Sequence, residues 1–236
     1  PGELFGCKII PGRTFVPVRD LKGKLWGYQI IGEYGEKFFR EGTKKEGNFH
    51  ILGSIKDDAG TIYFTEGLAT AASVYKATGR PCIVCFDSGN LASVIAAFRA
   101  ERKNLEIVIC GDDDRWSTKP DGTLYNAGRE LAEAAAAKHL AKAVFPEFLS
   151  LADKPTDFND LHLIEGIEKV RDQLAGVKTE SHRILCLGHS GENYFYISTS
   201  NQQIVSIARG AHTKGTFLDL MAMLCWESQY PGAKED

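Results

Sequence analysis

The chain has 236 residues, 43% of them hydrophobic and 25% charged, with a formal net charge of −3. That is room for one moderate domain or two small ones around a real core. The charge excludes a globally basic surface, and no apolar run approaches the ~20 residues of a membrane-spanning helix. The total hides an asymmetry. Residues 1–57 carry ten basic and seven acidic side chains (+3), residues 58–178 carry 14 and 18 (−4), and residues 179–236 carry four and six (−2).

Taken in chain order, residues 15–55 read as short strands ("FVPVRD", "KLWGYQII", "KFF", "NFHILG") separated by Gly- and charge-rich turns, a β-rich N-terminal subdomain over 1–57. From residue 61 the pattern changes. "TIYFTEG" is a short apolar strand ending at Glu66-Gly67, and Leu68, Ala71, Ala72 and Tyr75 then fall on one helical stripe. "CIVCF" is a second strand, followed by the stripe Leu91, Val94, Ile95 and Phe98. "LEIVICG" is a third, apolar throughout as in a sheet covered on both faces. An alanine-rich helix from Asn126, the strand "KAVFP", and a helix with Leu163, Ile167, Val170 and Leu174 in phase complete the run. Such β-α alternation predicts an α/β domain over 58–178, with a parallel sheet and right-handed crossovers. Residues 176–182 read as a linker, and 179–236 as a small α+β module of two or three strands and a helix around 214–226.

The six cysteines are scattered, and only Cys82 and Cys85 have C-x-x-C spacing, inside a β-branched strand. Zinc would require a second pair or histidines at ligand spacing, so no zinc site is expected. Plain buried strand cysteines and a cytoplasmic compartment fit better. No secretory signal opens the chain, whose start "PGELFGCKII" reads as the edge of a fragment.

Ligands of an open parallel sheet bind beyond the carboxyl ends of its strands. Glu66 closes the first strand, Asp87 the second, and Asp112 and Asp114 the third; Asp157 follows the fourth. Carboxylates gathered on one edge repel one another unless a hard cation with oxygen ligands joins them. In "IVICGDDDRW" an extended backbone projects Asp112 and Asp114 to one side and Asp113 to the other, so the first two are the candidate metal pair. A solvated acidic turn is the alternative.

"IYFTEG", the β-α alternation and "IVICGDDD" together resemble the toprim domain of primases and topoisomerases, which has a glutamate after its first strand and D-x-D after its third. Glu66, Asp112 and Asp114 stand at those positions. "PTDFNDLH" resembles the further acidic motif of bacterial replicative primases, with Asp157 as its first acid, Asn159 where a second would stand and Asp160 beside it. More narrowly, residues 14–175 are similar to primases of phages, plasmids and integrated elements, through the N-terminal stretch, "CFDSGNL", Asn126-Ala127-Gly128 and "DFNDL". Such primases usually carry a zinc ribbon and often a helicase module. Neither motif occurs in these residues, so the chain reads as a piece of a longer protein.

The resemblance implies a Rossmann-like toprim fold and a DNA primase of a mobile element or phage in a bacterial host. Its expected partners are a single-stranded DNA template, ribonucleoside triphosphates and a helicase, fused or separate. Its expected cofactor is Mg²⁺ or Mn²⁺ held by Asp112, Asp114, Glu66 and Asp157, with Glu66 either ligand or general base. The basic N-terminal residues Lys22, Lys24, Lys37, Arg40, Lys44 and Lys45, interleaved with Trp26, Tyr28, Phe38 and Phe39, fit a path for the template. A half-buried sheet gives the same alternation. Arg80 and Arg115 near strand ends are candidates for the triphosphate, and His162 is a weaker catalytic candidate. The competing functions are a toprim strand-cleaving enzyme and a non-catalytic DNA-binding toprim module.

Overall fold

The computed structural model describes residues 2–55, 60–102, 105–175 and 177, and the backbone of 185–190, 193–198, 203–208 and 211–216. It divides into two compact units, Pro1–Thr179 and Glu180–Asp236.

The first unit opens with an antiparallel sheet of β1 (Gly2–Leu4), β2 (Cys7–Ile10), β3 (Arg13–Arg19), β4 (Leu25–Gly32) and β5 (Lys37–Phe39), adjacent in chain order. Strands β1 and β2 fall inside the β-rich segment expected over 1–57, ahead of the individual strands read from residue 15. The next strand, β6 (His50–Leu52), leaves this sheet and pairs antiparallel with the second sheet, His50 opposite Val84 and Leu52 opposite Cys82.

That second sheet has the order β10-β9-β7-β8-β6, with β7 (Thr61–Thr65), β8 (Cys82–Val84), β9 (Glu106–Cys110) and β10 (Lys142–Val144) parallel. The expected parallel sheet is therefore mixed, with an antiparallel edge strand lent by the N-terminal segment. Helices α1 (Leu68–Thr78), α2 (Ser88–Glu101), α3 (Ala127–His139), α4 (Phe158–Glu165) and α5 (Ile167–Ala175) cover it.

Alternation along the strands sorts the core into two layers. Tyr63, Val84, Val108 and Cys110 face the layer holding Ala71, Val74, Phe158, Leu161, Val170 and Leu174, and Val16 and Val18 of the first sheet join it. Ile62, Phe64, Ile83, Ile107 and Ile109 face Leu91, Val94, Ile95, Phe98, Ala132 and Ala135. The predicted α2 stripe is fully buried at all four positions.

The single helix expected over 159–174 is two helices. Gly166 adopts φ +93° between α4 and α5, a backbone that glycine adopts without a Cβ clash. The break resets the helical phase. Val170 and Leu174 are buried as expected, whereas Leu163 is 73% exposed and Phe158 and Leu161 fill the α4 face.

The second unit is a four-stranded antiparallel meander of β11 (Leu185–Ser190), β12 (Asn193–Ser198), β13 (Gln203–Ala208) and β14 (Ala211–Thr216). Strand β14 occupies the start of the segment expected to be helical, and the rest of that segment, 217–226, lies outside the described residues, as does most of the expected linker. Among the described residues no helix is long and apolar enough to cross a membrane.

Candidate active site

Four parallel strands running side by side deliver their carboxyl ends to one edge. Glu66 follows β7, and Gly67 caps α1 in an extended conformation (φ −107°), so the turn into α1 does not need glycine's left-handed freedom. Asp112 stands two residues beyond the end of β9, after Gly111. Glu66 Oε1 and Asp112 Oδ1 are both buried without a hydrogen-bond partner. Buried carboxylate oxygens are ordinarily satisfied, because each loses its hydration on folding.

The electrostatics follow from that burial. Loss of water pushes the Glu66 carboxyl up to about 7, helped by the charge of Asp114, with the backbone N–H groups of Asp112 and Ser88 partly offsetting. Burial likewise pushes Asp112 up to about 8, aided by Glu66, Asp157 and Asp114, while Lys37 pulls it down. Lys37 reaches the site from β5: a Cβ placed on Gly67 would stand 3.7 Å from its Nζ. The N-terminal sheet thus contributes a cation to the acidic edge. The sequence assigned Lys37 to the template path, and nothing in the local pattern marks it out from its neighbours.

Asp114 accepts from the Gly128 N–H at the start of α3 (3.1 Å). The backbones approach so closely that a Cβ on Gly128 would lie 2.6 Å from the Asp112 carbonyl oxygen and 2.9 Å from Asp114 Oδ2. That approach explains the glycine in "NAGRE". Asp113 projects the other way, as its register predicts, but it is no solvated residue: it is 1% exposed. Its carboxylate pairs with Arg115 and with Arg129 (3.0 Å) and accepts from Asn126 Nδ2 (2.5 Å). Burial opposes its ionisation, and the hydrogen bonds from Arg115, Arg129 and Asn126 overcome it, holding the carboxyl down at about 2.

The remaining candidates separate. Asp157 caps α4, accepting from Asp160 N (2.8 Å) and from the Thr70 hydroxyl (2.8 Å). Each of its oxygens retains a lone pair, and its charge is felt at Asp112, so it is an outer member of the set. Asp160 accepts from Thr156 N (2.8 Å), and Asn159 accepts from Ser73 Oγ (3.2 Å), which also lies 3.0 Å from His162 Nδ1. Asn159 and His162 therefore face α1. Asp87 caps α2 and pairs with Lys45, and its charge is felt at Glu66. Arg80 precedes β8, at the amino ends of the parallel strands and beside Gly60 rather than with the carboxylates. Arg115 is engaged with Asp113.

Among the described residues no three His, Cys, Asp or Glu side chains enclose an ion by themselves. Magnesium does not require such a cage, since it takes one or two carboxylates and keeps water or substrate phosphate in its other positions. Two orphaned buried carboxylate oxygens beside Asp114 suit that hard cation. Cys82 and Cys85 are buried, and burial raises both thiols, so they are protonated core residues.

On the N-terminal sheet, Lys22, Lys24, Arg40 and Lys44 are exposed. The ammonium groups of Lys24 and Lys44 stand 3.9 and 4.9 Å from the centre of the Trp26 ring. A pocket of about 480 Å³ opens there, lined by Asp20, Trp26, Lys44, Lys45, Glu46 and Asn48. The sequence did not foresee Asn90. Its buried amide accepts from Gly47 N (2.8 Å) and donates toward the Lys45, Asn48 and Cys85 carbonyls, tying this loop to α2.

Residues 61–168 match the toprim domain family. Two curated Escherichia coli proteins named DNA primase TraC are 43% and 41% identical to it over 138 residues, 58% of this chain. The chain spans only 9% and 13% of their lengths. Its fold is similar to the primase fragment of the bacteriophage T7 primase–helicase protein, at a TM-score of 0.50 and 17% identity, covering 69% of this chain and 62% of that one. It is also similar to a T7 assembly in which lagging-strand DNA polymerase interacts with primase domains bound to an RNA/DNA hybrid, at a TM-score of 0.51 and 16% identity, covering 69% and 76%.

Proposed function

We propose that this chain is the catalytic part of a DNA primase, which joins ribonucleotides on a single-stranded DNA template by metal-dependent nucleotidyl transfer. The observation that carries the reading is the pair of buried, unpartnered carboxylate oxygens on Glu66 and Asp112, at the strand-end edge of a toprim domain. A binding module would gain nothing from holding such a pair beside DNA. The name shared by the two curated relatives favours primer synthesis over strand cleavage.

In this reading Asp112, Asp114 and Glu66 hold Mg²⁺ or Mn²⁺, with Asp157 as an outer acid. A bound divalent ion supplies charge neutralisation at the phosphoryl oxygens and at the attacking and leaving oxygens. Glu66 either shares in holding the ion or receives the proton of the attacking 3′-hydroxyl. Lys37, from the first sheet, is placed to meet the triphosphate of an incoming ribonucleotide. Lys22, Lys24 and Lys44 around Trp26 offer phosphate contacts and a stacking surface to the template, and Arg40 extends that surface. Lys45 serves instead to hold the sheet to α2. A helicase, fused or separate, is the expected companion in a bacterial cytoplasm.

The test is incubation of the chain with single-stranded DNA, labelled ribonucleotides and Mg²⁺ or Mn²⁺. Short RNA products are expected from the parent chain, and Glu66→Gln and Asp112→Asn should lose them by orders of magnitude. Primers made at near-parental rates by both variants would refute the site.

A further inference from the structure

We infer that Asp113, the middle acid of the run, is a positioning residue whose contacts with Asn126 and Arg129 set Asp112 and Asp114 side by side. The inference rests on the reading that these neighbours hold a divalent cation.

A carboxylate that merely ended a strand would lie in water. Asp113 is instead buried, on the α3 side of the sheet, and so is not itself available to a cation beside Asp112. Its side chain binds both the capping residue of α3, Asn126, and Arg129 in the first turn of that helix. Its own N–H donates to the Thr156 carbonyl (2.8 Å), directly before Asp157. One residue therefore ties the end of β9 to the start of α3 and to the segment that carries the outer acid.

The same junction holds Asp114. The Gly128 N–H that it accepts from lies between Asn126 and Arg129, and the Gly128 backbone rests against the Asp112 carbonyl. If α3 were released from Asp113, both of these interactions would loosen together. Two adjacent carboxylates that repel each other have no reason to stay convergent unless something outside the pair restrains them. The groups facing Asp113 are Arg115 on its own loop and Asn126 and Arg129 on α3; Arg129 also pairs with Glu133 and stacks on Phe145. Partners that orient a metal's ligands typically change metal affinity by about 10–100-fold when removed.

The experiment measures Mn²⁺ affinity by calorimetry on the full chain for the parent, Asp112→Asn, Asp113→Asn and Arg129→Gln, with far-UV circular dichroism confirming the fold of each. Charge and position predict opposite results for Arg129→Gln. Removing a cation near the site strengthens metal binding if charge alone matters, and weakens it if Arg129 positions the acids through Asp113. The expected result is a loss of about tenfold or more in both Asp113→Asn and Arg129→Gln. Unchanged or tighter binding in a folded Arg129→Gln, with Asp112→Asn weakened, overturns the positioning role and leaves the metal site standing. Unchanged binding in Asp112→Asn removes the metal site and this inference with it. Should Asp113→Asn fail to fold, Arg129→Gln, whose side chain is 37% exposed, still decides.

Discussion

Asn90 Nδ2 lies 3.1 Å from the carbonyl oxygen of Lys45, while Lys45 reaches back to pair with Asp87, three residues before Asn90. The two residues thus clasp the N-terminal sheet to the start of α2. The ion pair is partly exposed and contributes little by itself. The buried amide matters more, because deleting it removes its hydrogen bonds to the Gly47 N–H and to the Lys45, Asn48 and Cys85 carbonyls. Asn90→Ala removes four hydrogen bonds at about 0.5–1.5 kcal/mol each, and should therefore cost about 2–6 kcal/mol. Lys45→Ala should cost less than about 1 kcal/mol. Chemical denaturation of the two variants checks the order, and a larger loss in Lys45→Ala than in Asn90→Ala would show that the ion pair, not the amide, is the clasp.

Glu66 should oppose folding while serving function. Its folded-state carboxyl stands at about 7, above the ordinary 4.5, so the proton is bound more tightly in the folded chain. The resulting stability is fully present below pH 4.5 and is lost as pH rises through about 7. Without metal at pH 8, Glu66→Gln should melt higher than the parent, by about 2–4 °C for each kcal/mol relieved. At pH 4 the difference should vanish. Thermal melts at the two pH values decide it, and a variant that melts far lower at pH 8 would make Glu66 a structural residue.

The strand-end acids, the α2 stripe and the β-α order were legible because each depends on residues close together in sequence. What was not legible depends on distant pairings. Gly166 lies inside a stripe that reads as one helix, and only its φ of +93° shows that the helix stops there. "FHI" matched any short strand, and its partner Cys82-Ile83-Val84 lies across α1. Asp113 read as a bystander because register tells which side it faces, not that Asn126 and Arg129 wait there. Lys37 is indistinguishable in the sequence from lysines that face only solvent. Its place beside Gly67 follows from how the first sheet packs on the second.

Single-strand binding should depend on Trp26 and the lysines around it. The indole N–H is held by Asp20 Oδ2 (2.9 Å), fixing the ring beneath Lys24 and Lys44. Stacking of a base on such a ring is worth about 1–3 kcal/mol, so Trp26→Ala should weaken binding about 5- to 150-fold. Reversing Lys22, Lys24 and Lys44 to Glu should make the salt dependence shallower by about 0.7 for each phosphate no longer neutralised. Lys45→Glu is left out of that set because its ammonium is already paired with Asp87. Titrations of a labelled oligonucleotide across salt concentrations measure both quantities. An unchanged slope in the triple variant would make the basic face a solvated surface only.

Gly128→Ala should destabilise the chain, against the usual trend. Within a helix, alanine is favoured over glycine by up to about 1 kcal/mol, because it restricts the unfolded backbone. Gly128 lies in the first turn of α3, where that gain should apply. The new methyl, however, would meet the Asp112 carbonyl oxygen at 2.6 Å and its carbon at 3.2 Å, and these are backbone atoms with no rotamer to yield. Overpacking of this kind typically costs about 1–3 kcal/mol. The helix start must then move away from the end of β9, lengthening the bond from Gly128 N to Asp114 and turning Asp112 from Glu66. The melting temperature should fall by about 2–12 °C. Mn²⁺ affinity should fall as well, although no carboxylate has been removed. Thermal melting and calorimetry on this one variant test both statements. A Gly128→Ala chain that melts at or above the parent temperature would show that α3 does not press on the acidic loop, and the shared support of Asp112 and Asp114 would have to be sought elsewhere.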